Sequence, residues 1–180
     1  DASDLAADPA VRYGRLENGL RYAILANETP PNVASVRMVF NMGSLGEADD
    51  QRGVAHFIEH MAFNGSTNVA EGEMIPLLER HGLQFGPDTN AFTGFDTVGY
   101  QLDLPEADAE SIDTALFIMR ETASELVFDP EAIDRERGVI LSEERFRNTA
   151  IRRWSTALQY FQLPGTLIPE RDPIGTVEIL

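Results

Sequence analysis

Cysteine is absent from all 180 residues, which excludes disulfide frameworks, thiolate metal sites and a cysteine nucleophile together. Any metal held here must therefore take histidine and carboxylate ligands. Basic residues are few: 14 Lys and Arg stand against 30 Asp and Glu, for a net charge of -16. Such a field repels phosphate backbones and anionic headgroups, so no nucleic-acid partner is expected. Long apolar runs are missing too, and no membrane insertion is expected. Glycine and proline are scattered among 43% hydrophobic residues, a composition that suits one globular domain over 1–180 with a single core. The acidic, alanine-rich residues 1–10 read as a loose arm. The chain opens at Asp1 without initiator Met or leader, as expected of a processed or excised segment. It ends on the apolar run PIGTVEIL, which is read as a domain incomplete after residue 180.

What is present begins as strands. VRYGRLENGLRYAILAN alternates apolar and polar residues on either side of Glu17, Asn18 and Gly19, and Asn-Gly predicts a tight hairpin. After Pro30 and Pro31, VASVRMVFNMG resumes the alternation, with Ala34, Val36, Met38 and Phe40 assigned to the core side. Residues 43–52 form a polar loop, and a helix is expected from about Glu71 to Arg80, ended by His81 and Gly82. Short strands are expected near Leu83–Phe85, Ala91–Thr93 and Thr97–Leu104. Two long helical patterns follow, Glu106–Leu126 and Pro130 to about Phe161, the second opened by Asp129 as N-cap and Pro130 at the first position. The aromatics of these late helices are read as core, as are Phe57, Met61 and Phe63.

The stretch GVAHFIEHMAF, Gly53 to Phe63, carries the chemistry. On a helix, His56 and His60 lie about 40° apart, with Glu59 about 60° to the other side of His56. Val54, Phe57, Ile58 and Met61 fall opposite, as a stripe expected to be buried. Two neutral imidazoles at i and i+4 can reach one cation, and a carboxylate just before the second can act on water. A third ligand should come from elsewhere. In ERGVILSEER, Glu136 and Glu143 are seven residues apart, about 20° short of two turns, and share a face beside Ile133, Val139 and Ile140, while Glu144 points away. Half-buried carboxylates without partners are costly, a cost that a cation would offset.

HFIEH matches the inverted zinc motif of the inverzincin metallopeptidases. With GSLGEADDQRGVAHFIEHMAFNGS, NAFTGFDTVGY and ERGVILSEER in that order, the chain resembles the pitrilysin and insulinase type of peptidase from about Tyr13 to Ile179. RYAILAN, HMAFNGS and RDPIGT are similar to long bacterial members exported to the periplasm, which implies a periplasmic location. The resemblance implies one Zn2+ held by His56, His60 and Glu143, with Glu59 as general base and Glu136 as supporting carboxylate. His60 to Glu143 spans 83 residues, more than the family's usual spacing, which by itself favours Glu136 at 76; the extra residues are assigned to QFGPDTN and LPEADAES. Asn90, Ala91, Phe92 and Thr93 resemble the family's edge strand that pairs with substrate backbone, and a turn-capping role is the other reading of Asn90.

The implied activity is zinc-dependent endopeptidase hydrolysis of peptides or unfolded polypeptides by metal-activated water. Its fold is α+β, a mainly antiparallel sheet with helices packed on one face. The remaining peptidase domains, or a partner subunit, would supply the opposite half, leaving this segment weakly active or inactive alone. The rival reading is a non-catalytic peptide-binding or assembly domain.

Overall fold

The Asn-Gly signal becomes a hairpin. Strands β1 (Val11–Arg15) and β2 (Arg21–Leu25) pair antiparallel with Gly14 opposite Tyr22, and the side chain of Asn18 accepts from the Leu20 amide in the turn. A computed structural model describes residues 6–84, 86 and 88–180, so half of the loose arm, and Phe85, lie outside the described residues. Leu83 and Gln84 are not a strand. The loop there closes on itself, with Asp88 accepting from the Gln84 amide.

The remaining strands form a second antiparallel sheet in the order β3 (Ala34–Phe40), β5 (Val98–Leu104), β4 (Thr89–Thr93). Alternation decides its two faces. Val98, Tyr100, Leu102 and Leu104 of the central strand are buried, and Ala34, Val36 and Met38 of β3 join them. Phe40 does not follow fully: it stays exposed at the strand end, edge-on to Tyr100. The opposite face carries an Arg37–Asp103 ion pair and the ring of Phe92, which lies where a side chain on Gly99 would stand. Helices cover the apolar face only. These are α1 (Val54–Met61), α2 (Met74–Arg80) and α3 (Ala109–Ser124), contributing Ala62, just past the end of α1, with Met74, Leu78, Ala115, Ile118 and Met119. Each large apolar side chain so buried is worth about 1.5–3 kcal/mol.

Three helices differ from expectation at their boundaries. α3 opens at Ala109 rather than Glu106, because Asp108 caps it by accepting from the Ser111 amide at 2.7 Å, and it ends at Ser124. α2 begins at Met74 rather than near Glu71, because Gly72 adopts a left-handed conformation. The long helix after Pro130 is two helices, α4 (Pro130–Arg147) and α5 (Ala150–Gln162), broken where Thr149 turns its hydroxyl to the Arg152 amide and caps a new start. Short polar side chains compete with helical hydrogen bonding in this way. The late aromatics divide: Phe117 of α3 packs against the core as expected, whereas Phe146 and Phe161 are 86% and 82% exposed, and α5 buries no residue. No helix among the described residues is long and apolar enough to cross a membrane.

Behind α1 a fully buried Glu121 ties α3 to the loop that follows α1. It accepts from Ser66 Oγ, Asn68 N and Asn68 Nδ2 at 2.7–3.1 Å, with Arg120 beside it. Burial raises its pKa, but the bonds from Ser66 and Asn68 outweigh that and hold it below the ordinary 4.5. Glu121→Ala strands buried donors at about 1–3 kcal/mol each, visible as a lower urea midpoint. A depressed folded pKa stabilises above the unfolded value and is lost as pH falls through the folded one. The advantage of wild type over Glu121→Gln should therefore hold at neutral pH and shrink as pH drops below 4.5.

Candidate metal centre

Helix α1 starts without a capping side chain of its own, because Gly53 precedes it in a left-handed conformation at φ 99°. Its first donors are satisfied from upstream: the carboxylate of Glu47 accepts from Gly53 N at 2.9 Å and Ala55 N at 2.8 Å. Helix starts otherwise leave such amides without partners. Gly175 packs directly on Gly53, where a Cβ on either residue would meet the other's Cα within 2.9 Å. Glu47 was legible only as part of a polar loop, since no local motif marks a cap six residues ahead of its helix.

The orientation of α1 corrects one expectation. Met61 is fully buried, but Val54 and Ile58 are exposed, and it is His56 that is buried at 6% exposure. The helix lies against α4 and β4 as well as β5, so the histidine face is itself enclosed and the outer edge carries the two aliphatics. Val139 of α4 is likewise exposed, whereas Ile140 is sealed.

On that enclosed face three ligand atoms converge. His56 Nε2 and His60 Nε2 are 3.2 Å apart, and Glu143 Oε2 lies 3.6 Å and 3.3 Å from them. Glu144 takes no part in this cluster. His60 Nδ1 faces Glu136 Oε1 at 2.7 Å; a carboxylate accepts, so Nδ1 is the donor there and Nε2 is the nitrogen turned to the cluster. Burial, and secondarily His60, push the pKa of His56 down to about 4, so its imidazole is neutral at neutral pH. Two lone pairs and a carboxylate oxygen pointing at one another repel unless a cation or proton lies among them. Ligands about 2.0–2.2 Å from a tetrahedral zinc are about 3.3–3.6 Å apart, so this donor set fits the ion without rearrangement. His56 Nδ1 is buried and has no hydrogen-bond partner among the described residues.

The two glutamates expected on α4 have separate places. Glu143 meets both Nε2 atoms, and its other oxygen pairs with Arg147 one turn on. Glu136 stands behind His60, with Oε2 held by Asn64 Nδ2 at 3.0 Å. Asn64, which also donates to the His60 carbonyl, carried no chemical signal in the sequence. Carboxylates that receive a ligand histidine's second N–H set its tautomer and ring angle.

Glu59 is half-buried on the β4 side and accepts from Thr93 Oγ1. Burial raises its pKa, partly offset by that bond; burial and the Glu59 charge in turn raise that of Tyr100. Of the four β4 residues singled out, only Thr93 meets the polar cluster. Ala91 packs on the core, Phe92 is exposed over Gly99, and Asn90 is exposed with its side chain turned to the Ala91 amide. Among the described residues β4 pairs on one side only, leaving its outer edge open. His81 ends α2 and meets Thr114, away from the site.

Residues 22–161 match the description Insulinase (Peptidase family M16). The chain is 38% identical to the probable zinc protease PqqL of Haemophilus influenzae over 99% of its own length and 19% of that protein. It is 37% identical to the probable zinc protease PqqL of Escherichia coli, over 98% of this chain and 19% of that one. The crystal structure of the periplasmic protease PqqL from Escherichia coli superposes with a TM-score of 0.93 at 36% identity, covering 98% of this chain and 20% of that one. The chain thus spans about a fifth of the length of these relatives.

Proposed function

Because this chain belongs to the insulinase family of peptidases, peptidase family M16, we propose that it is the metal-bearing unit of a zinc endopeptidase acting on peptides or unfolded polypeptides. The observation that carries the reading is the meeting of His56 Nε2, His60 Nε2 and Glu143 Oε2 within 4.8 Å of one another, with Glu59 one residue from a ligand. His56, His60 and Glu143 would hold the ion, and the zinc named for the relatives is the metal this donor set suits. When bound, zinc supplies a Lewis acid that lowers the pKa of water to about 7 and polarises a carbonyl. Glu59 takes the proton from the attacking water and returns it to the leaving amine. Glu136 holds His60 in the tautomer that ligation needs, and Asn64 holds Glu136. The open edge of β4, Asn90 to Thr93, would accept an extended peptide by strand addition, in which main-chain hydrogen bonds give affinity with modest sequence demand.

We read residues 1–180 as one domain, working with further peptidase domains or a partner subunit and located, like the Escherichia coli relative, in the periplasm. The segment alone is expected to bind zinc and cleave peptides weakly or not at all. The test is zinc stoichiometry and peptide cleavage by the full-length protein: one zinc per site with hydrolysis supports the reading, and metal-free or inactive protein with intact ligands favours the peptide-binding rival. A finer expectation concerns Glu136→Gln, which should weaken zinc about tenfold to a hundredfold without abolishing it, as measured by competition with a chromogenic chelator.

A further inference from the structure

Thr93 ends β4 at a place fixed from several directions. Its alternation partner Ala91 packs inward, so Thr93 also points toward α1. Just beyond it, the carbonyls of Gly94 and Phe95 accept from Ser44 N at 3.1 Å and Leu45 N at 2.8 Å. Ser44 is fully buried and anchored by its hydroxyl to the Arg171 carbonyl at 2.6 Å. Three residues on, Glu47 caps the start of α1. One short turn, 44–47, therefore grips both the end of β4 and the beginning of the metal helix. A polar contact closes this bracket inside the site, Thr93 Oγ1 to Glu59 Oε2.

The geometry points to Thr93 as the positioning residue for the base: its hydroxyl holds one oxygen of Glu59 so that the other, Oε1, is the proton acceptor. This rests on the peptidase reading and extends it, because Thr93 then acts through Glu59 rather than on the substrate. A glutamate's terminal torsion is broad, and an unheld carboxylate at the end of two methylenes would rotate among orientations of which few face the water. A donated hydrogen bond from a residue locked in the sheet removes that freedom. Threonine is suited to the task, since its β-branched side chain is stiff about χ1.

The experiment compares Thr93→Val, Thr93→Ser and Glu59→Gln, with the Thr93→Val/Glu59→Gln double variant, in the full-length zinc-loaded protein. Thr93→Val keeps shape and strand propensity. It should lower kcat about tenfold to a hundredfold, the scale of a misplaced catalytic group, with zinc stoichiometry unchanged and KM within about twofold. Thr93→Ser should recover most of kcat. In the double variant the Val substitution should cost nothing beyond Glu59→Gln, the non-additivity of residues acting as a unit. An inactive Glu59→Gln beside a fully active Thr93→Val overturns this inference alone, as does a Thr93→Val defect confined to KM or fully additive with Glu59→Gln. A fully active Glu59→Gln overturns the base assignment and this inference with it.

Discussion

Glu59→Gln in the full-length protein is expected to lose about a thousandfold in kcat, within the range of general acid–base catalysis, while still binding one zinc. The reasoning is positional. Glu59 is on the same helix as both histidines but is turned to the β4 side, where it meets Thr93 and not the Nε2 pair. The amide of glutamine can occupy the same volume and keep the contact to Thr93, since its carbonyl oxygen still accepts. It cannot take a proton. Metal content should therefore hold while turnover stops, and kcat should fall with KM little changed, the pattern of an interaction made in the transition state. Activity equal to wild type would remove Glu59 as base. Loss of zinc along with activity would instead make Glu59 a structural element of the site.

How far the sequence foretells this site depends on the distance over which each element is determined. The His56, Glu59 and His60 arrangement needs only the helical period, and the cap at Asp129 and the hairpin at Asn18 need only the chemistry of a few neighbouring residues. Helix faces were less legible. An apolar stripe was expected at Val54 and Ile58, but a helix enclosed by α4, β4 and β5 buries its histidine face instead, and no single-helix pattern records what lies on its other sides. The helical period does not separate Glu136 from Glu143, since both share a face of α4, and Glu143 is preferred only through the family resemblance; in the fold Glu136 reaches His60 Nδ1 and Glu143 reaches Nε2, on opposite sides of one ring. Glu47, Asn64 and the hydroxyl of Thr93 act across 6 to 72 residues of chain. Such contacts leave no periodicity and no motif. The break at Thr149 was visible in principle as a capping residue, but the surrounding helix propensity masked it.

Glu143→Ala should remove zinc and activity together, and its contrast with Glu136→Gln decides which carboxylate is the ligand. Glu143 is the only residue of α4 in the three-atom cluster among the described residues. Without it, two imidazole nitrogens remain, one fewer than the three protein ligands of a usual catalytic zinc site. The defect should exceed the tenfold to hundredfold expected for a supporting partner such as Glu136. Stability supplies a readout independent of turnover. An ion present at about a thousand times its Kd stabilises the folded state by about 4 kcal/mol, so chelation should lower the melting temperature of wild type. The same chelator should leave Glu143→Ala unmoved, because it has no bound ion to lose, whereas Glu136→Gln should show a reduced but real response. The opposite ranking, with Glu136→Gln indifferent to chelator and Glu143→Ala responsive, would exchange the two roles. It would require α4 to slide by about two turns, about 10 Å along its axis, relative to α1. Arg147 on Glu143 and Asn64 on Glu136 hold the two carboxylates in their present stations, and the chelator experiment therefore tests the docking of α4 on α1 as directly as it tests the metal.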